Sequence, residues 1–256
     1  QNIKFMNIKK PKFWGKKNNI LSILLLPLSI FLQFCIKIKI KLTTKNSFKI
    51  PIICIGNIYI GGTGKTPLSI MLVKDLIKLG KKPAIIKKFY SSHHDEHKLI
   101  KNNMIPLFLD RKRSQAIIDA ENRGYELAIL DDGFQDHSIL KNLSILCFNS
   151  NQLVGNEMTI PSGPLRENLE AIKRAQVVII NGEKNNLFEE KIYNYSNKIK
   201  IYYSQYVPSN LEQLEGKNLY AFAGIGNPSN FFQLLDKYNL KVHKKIAFPD
   251  HYEFSK

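Results

Sequence analysis

"GNIYIGGTGKTPLSI", residues 56–70, decides how this chain is read. It follows the apolar run "IPIICIG" (50–56) and leads into "TPLSIMLVKDLIKLG" (66–80), whose apolar positions recur at helical spacing and which closes on Gly80. The order strand, glycine turn, helix builds an anion site. Backbone N–H groups line a concavity, and the N-terminus of the helix behind it adds partial positive charge. Gly61, Gly62 and Gly64, with Thr63 between them, let that backbone close in on a phosphate. Lys65 is placed to reach terminal phosphates, and the Thr66 hydroxyl to ligate Mg²⁺. The strict pattern asks for glycine at 59, where Tyr59 stands; that position only begins the turn, so the anion site survives the departure.

The rest of the chain supplies a sheet for this turn. "KPAIIKK", "IPLFL", "ELAILDD", "LSILCF" and "QVVIIN" are apolar runs of strand length, and "RSQAIIDAENRG" and "RENLEAIKRA" are helical pieces between some of them. Strands buried on both faces and separated by helices mean a parallel sheet. The expected architecture is α/β: a P-loop NTPase-like parallel sheet flanked by helices, with an N-terminal membrane-associating helix and a smaller C-terminal lobe. Residues 1–48 form the basic and apolar N-terminal segment, 49–198 the nucleotide-binding core, and 199–256 the lobe. The polar stretch "GEKNNLFEEKIYNYSNK" reads as the connection to that lobe. "ELAILDDGFQD" ends a strand on Asp131 and Asp132, carboxylates placed to orient a metal beside the phosphate turn.

The chain has 256 residues, 44% hydrophobic and 23% charged, enough for one core with an appended lobe. Its formal charge is +17, part of which is a general abundance of Lys. The distribution is more telling: no Asp or Glu precedes Asp75, while eleven lysines fall between Lys4 and Lys49. Such an end seeks an anionic partner. "ILSILLLPLSIFLQFCI" (20–36) would span ~25 Å as a helix, short of a bilayer crossing. Ser22, Pro27, Ser29 and Gln33 interrupt it, and no small-residue cleavage site follows. Flanking lysines favour a helix lying in the headgroup layer of an anionic membrane, over a single span or a core helix. Cys35, Cys54 and Cys147 are widely spaced and suggest neither disulfides nor a metal pair. The chain begins with Gln, with Met6 the expected natural start, and stops after "FPDHYEFSK", so a fragment at both ends is expected.

Five stretches in order resemble one family, the tetraacyldisaccharide 4'-kinases of Gram-negative bacteria: "PKFW", "GNIYIGGTGKTP", "DDGFQD", "GNEMTIPSGPLRE" and "FAGIGNPSNFF…FPDHYEF". The resemblance implies transfer of the ATP γ-phosphate to the 4'-hydroxyl of an acylated glucosamine disaccharide 1-phosphate. It implies a peripheral enzyme at the cytoplasmic face of the inner membrane. By it, Lys65 and Thr66 hold phosphate and Mg²⁺, and Asp131 and Asp132 form the metal and catalytic cluster. Asp95 of "HDE" pairs with His251 of "DHY" to activate the acceptor hydroxyl. Glu96 sits near the metal, and Arg113, Arg166 and Glu167 line the phosphate or headgroup site, with Glu167 also a metal candidate. Only five of 38 basic residues are Arg, which independently marks Arg113 and Arg166 as places where a planar fork is needed. Arg123 and Arg174 read as helix-surface residues.

Departures from the family pattern are visible. Its "RGYG"-like turn reads "KKFYSS" (87–92), the His after "DDGFQ" is Asp136 with His137 one place on, and family chains continue beyond "DHY". Three rival readings remain. A P-loop membrane switch or assembly ATPase would usually carry Lys before the paired glycines, where Ile60 stands. "HHDEH" (93–97) spells an inverted zinc-peptidase pattern, but in a polar connection with no evident helical frame. Nucleic-acid binding lacks an aromatic-basic reading module, and no nucleic-acid partner is expected.

Overall fold

The computed structural model describes residues 11–90, 94–208, 210–249 and 252. The described residues divide into two compact units, Lys12–Ser204 and a smaller one that begins at Gln205.

The larger unit is built on seven parallel strands in the order β3-β2-β4-β1-β5-β6-β7. In chain order these are β1 (Ile52–Gly56), β2 (Pro83–Lys88), β3 (Leu107–Asp110), β4 (Leu127–Asp131), β5 (Leu143–Asn149), β6 (Val177–Asn181) and β7 (Lys200–Ser204). Successive β1 side chains feed opposite cores, as strand geometry requires. Ile52 and Cys54 pack with Ala116, Ile117, Phe188 and Ile192; Ile55 packs with Ile70, Val73 and Ile100. Helices α3 (Lys65–Lys78) and α4 (His94–Asn102) therefore cover one face, and α5 (Arg113–Asn122) and α6 (Asn186–Tyr193) the other. Burial of both faces explains why the central strands β1, β4 and β5 are largely apolar runs. It also pushes the Cys54 and Cys147 thiols up, to about 11 and about 12, leaving both as unreactive core residues.

Several elements differ from their sequence reading. "RENLEAIKRA" forms a 3₁₀ turn, Leu169–Arg174, rather than an α-helix. Two stretches read as polar connections contain α4 and α6; in each, two buried residues (His97 and Ile100, Phe188 and Ile192) anchor a helix of nine or eight residues, too short for its apolar pattern to stand out. "IKIYYSQY" supplies β7 of the main sheet, so the larger unit runs to Ser204, beyond residue 198. The smaller unit pairs β8 (Leu219–Ala223) with β9 (Val242–Ala247) in parallel, with α7 (Pro228–Lys237) as the crossover, around Ala221, Leu235 and Leu240.

The N-terminal apolar run forms α1 (Ile20–Leu24) and α2 (Leu26–Leu42), separated by Leu25 just before Pro27. Both belong to the larger unit, and they are built inside out. Ser22 and Ser29 are 0% and 1% exposed, whereas Ile20, Leu24 and Leu42 are 80%, 73% and 79% exposed. Ser29 Oγ lies 3.0 Å from the Thr159 carbonyl and 2.8 Å from Ser162 Oγ, and accepts from the Ser162 N–H. Asn156 donates to Ser22 Oγ, and Gln33 to the Arg166 carbonyl. The polar residues that interrupt the apolar run are the ones that dock it. Among the described residues no helix is long and apolar enough to cross a membrane.

Candidate active site

The phosphate turn lies at the C-terminal edge of the sheet, between β1 and α3, where parallel α/β sheets bind ligands. Gly56 must be glycine because a Cβ there would collide with the Cβ of Phe134. Gly64 caps α3 at φ +86°, a left-handed conformation that glycine adopts without strain. Tyr59 is explained by packing: it is buried in the core and forms an antiparallel bridge with Leu165. Around that bridge the Ile60 N–H donates to the Pro164 carbonyl and the Arg166 N–H to the Ile58 carbonyl. The segment carrying Arg166 is thus laid against the turn like a short strand.

Asn57, which the motif does not specify, braces the turn from within. It is fully buried and its amide donates to the Gly61 carbonyl at 3.2 Å and to Thr63 Oγ1 at 3.0 Å. Gln135 in turn donates to the Asn57 carbonyl and to Glu167.

The two aspartates that end β4 take different partners. Asp131 is fully buried; its Oδ2 accepts from Thr66 Oγ1 at 2.8 Å and from the Lys87 ammonium at 2.6 Å. Lys87 also lies 2.6 Å from Glu96 Oε2. Burial opposes its charge, but the two carboxylates outweigh that and hold its pKa above the ordinary lysine value. Asp132, at φ +58°, faces Lys65 at 3.7 Å and Arg166 Nη1 at 2.9 Å. Burial would raise its carboxyl, but Lys65 and Arg166 keep it well below the usual carboxylate range. Arg113 donates to the Asp132 carbonyl at 2.7 Å and pairs with Asp136 at 3.2 Å. Lys65, Thr66, Asp131, Asp132, Arg113 and Arg166 are therefore gathered in one cluster.

Of the other expected residues, Glu96 joins the cluster through Lys87, and Glu167 lines the cavity beside it. Glu167 is buried between Arg174 (2.6 Å) and Gln135 (3.1 Å). Arg174, read from sequence as a surface residue, stacks over Phe134 at 4.4 Å and holds Glu167 in place. His137 sits against Arg174, and its pKa is lowered by burial and by that guanidinium. Asp95 is exposed in the first turn of α4, and His251 lies outside the described residues. The "HDEH" residues are helical after all, in α4; His93 lies outside the described residues.

Among the described residues no three His, Cys, Asp or Glu side chains gather as a metal cage needs, so Asp131, Glu96 and Glu167 do not form one. A Mg²⁺ site is compatible with this. That ion keeps several waters and takes one or two protein oxygens plus substrate phosphates. Asp131 Oδ1, buried and without a hydrogen-bond partner, is such an oxygen beside the Thr66 hydroxyl. A cavity of about 630 Å³ opens next to the cluster. Asp131, Asp132, Arg113 and Arg166 line it, together with Ile36, Lys39 and Ile40 of α2 and Thr43 just beyond the helix.

The family model for tetraacyldisaccharide-1-P 4'-kinase matches residues 21–256. A tetraacyldisaccharide 4'-kinase of Pelagibacter ubique is 44% identical over 255 residues, 98% of this chain and 81% of the relative. One from Francisella tularensis subsp. novicida is 31% identical over 280 residues, covering 95% and 86%. Among solved structures, LpxK from Aquifex aeolicus in complex with ATP superimposes with a TM-score of 0.71 at 24% identity, covering 93% of this chain and 85% of that one; it shares the fold.

Proposed function

Since this chain belongs to the tetraacyldisaccharide-1-P 4'-kinase family, we infer that it transfers the terminal phosphate of ATP to the 4'-hydroxyl of a tetraacyl glucosamine disaccharide 1-phosphate, a step of lipid A biosynthesis. The observation that carries the chemistry is the contact of Thr66 with Asp131, beside Lys65 and Asp132, at the end of a parallel sheet. A membrane switch with the same turn is disfavoured by the family membership and by Ile60 before the paired glycines.

Phosphoryl transfer asks mainly for positioning and for neutralisation of charge on the moving group's oxygens. The N–H groups of residues 61–66 and the Lys65 ammonium hold the β- and γ-phosphates. Arg166 and Arg113 are anchored through Asp132 and Asp136 and line the cavity. Mg²⁺ bound with the nucleotide would supply further neutralisation, held by Thr66 and Asp131. Asp132 pairs with both Lys65 and Arg166, which keeps the two cations together beside the turn. Asp95 with His251 is the proposed base pair for the acceptor hydroxyl, a role worth typically ~10²- to 10⁴-fold.

The acceptor is amphiphilic, and α2 suits it. The helix turns hydrocarbon outward along most of its length and lines the cavity with Ile36, Lys39 and Ile40. Seated on the cytoplasmic, anionic surface of the inner membrane, it would keep acyl chains in the bilayer while the sugar headgroup enters the cavity.

Protein incubated with Mg-ATP and the disaccharide lipid should produce a lipid with one added phosphate, and Lys65→Ala should abolish it. His251→Ala should lower turnover far more than it weakens ATP binding. No phosphorylated lipid from a protein that binds ATP would overturn the assignment; wild-type turnover in His251→Ala would remove that residue as base.

A further inference from the structure

Lys87 has no part in the transfer as described, yet it occupies the centre of the buried charge cluster. Its neighbour on β2, Ile86, pairs with Leu130 of β4, which brings Lys87 level with the end of β4 where Asp131 stands. Only 5% of the side chain is exposed, and the ammonium is 2.6 Å from both Asp131 Oδ2 and Glu96 Oε2. A lysine ammonium is a compact, strongly hydrated charge, costly to bury without partners. Here the partners are two of the carboxylates that a divalent cation would seek.

The wider cluster is already paired. Asp131, Asp132, Asp136 and Glu96 face Lys65, Lys87, Arg113 and Arg166, four negative charges against four positive ones. A free divalent cation must therefore displace a cation from a carboxylate to enter. A triphosphate brings the additional negative charge that favours the exchange.

We propose that Lys87 is a positioning residue that makes divalent-metal binding conditional on the nucleotide. Its ammonium holds Asp131 and Glu96 in place and neutralises them until phosphate oxygens bring the metal in. Oδ1 of Asp131 and the Thr66 hydroxyl stay oriented meanwhile, because Oδ2 is held by Thr66 and Lys87 together. This rests on reading the cluster as a metal–triphosphate site.

The test is Mn²⁺ binding to the full chain, followed by electron paramagnetic resonance, with and without a non-hydrolysable ATP analogue. Wild type should bind Mn²⁺ weakly alone and at least about ten-fold more tightly with the analogue. Lys87→Gln should bind Mn²⁺ alone about ten-fold or more tightly than wild type, since removing a unit charge this close to the ion is a large electrostatic change. Lys87→Arg, which keeps the charge, should resemble wild type. Unchanged affinity in a folded Lys87→Gln protein, with analogue-dependent binding intact in wild type, overturns the role of Lys87 alone. Should Lys87→Gln fail to fold, wild type decides: Mn²⁺ bound as tightly without the analogue as with it overturns the proposal. Wild type that binds the analogue but never Mn²⁺ overturns the metal reading, and this inference with it.

Discussion

Asn57→Ala isolates the bracing of the phosphate turn from the chemistry performed there. The side chain is fully buried and bonds Gly61 and Thr63, so its effect must pass through them. Two neutral hydrogen bonds are lost, each worth ~1 kcal/mol net, or ~2 kcal/mol together. If the bound turn must re-form what the mutant no longer holds, that energy is taken from binding, and ~2 kcal/mol corresponds to about 30-fold in dissociation constant. Titrating a fluorescent ATP analogue into folded protein measures this directly. In turnover, KM for ATP should rise by a similar factor with a smaller change in kcat. Asn57→Asp should be worse than Ala, because it removes the donor and buries a carboxylate beside the phosphates. Nucleotide affinity within about two-fold of wild type in a folded Asn57→Ala protein would refute the reasoning. The turn would then be held by its glycines and by α3 alone.

Three further outcomes are expected. Ser29→Ala strips the Ser162 N–H and hydroxyl of their buried partner, at ~1–3 kcal/mol, so calorimetry should show Tm lowered by several degrees. Phe31→Asp with Phe34→Asp, at positions 61% and 60% exposed, should leave Tm unchanged but sharply reduce co-sedimentation with anionic vesicles; equal binding would remove α2 as the docking surface. Asp132 contributes a pH dependence of known sign. Its folded pKa is depressed below the ordinary 3.8, so its stabilisation is fully present above that value and is lost as pH falls toward the folded pKa. Acid titration of Tm should therefore be shallower in Asp132→Asn than in wild type below about pH 5, and parallel curves would contradict the Lys65 and Arg166 pairing.

The phosphate turn was legible because it is local. Glycines, Lys65 and Thr66 within one strand–turn–helix declare their geometry through backbone conformation and spacing alone. The same holds for the buried strands, whose apolar runs report burial on two faces, and for the scarcity of arginine, which marked Arg113 and Arg166. Helices α4 and α6 were missed because two buried residues each suffice to hold them, and so short a helix shows no sustained apolar pattern. The strand Lys200–Ser204 could not be assigned to the main sheet from its own residues, because pairing with Val177–Asn181 is a relation between distant segments.

What the sequence determined by itself was a nucleotide-type turn in a parallel α/β sheet, with a basic, apolar N-terminal end. Which carboxylate meets which cation was decided only by the tertiary structure. Lys87 enters the cluster through β2, Arg166 through a segment laid along the turn, and Arg174 by stacking on Phe134 to hold Glu167. The structure also decided that Ser22 and Ser29 face inward and the hydrocarbon outward, since a helix's apolar content does not say which side is covered. Charge pairing and docking depend on distances of a few ångströms between residues tens of positions apart, and no local pattern carries that information.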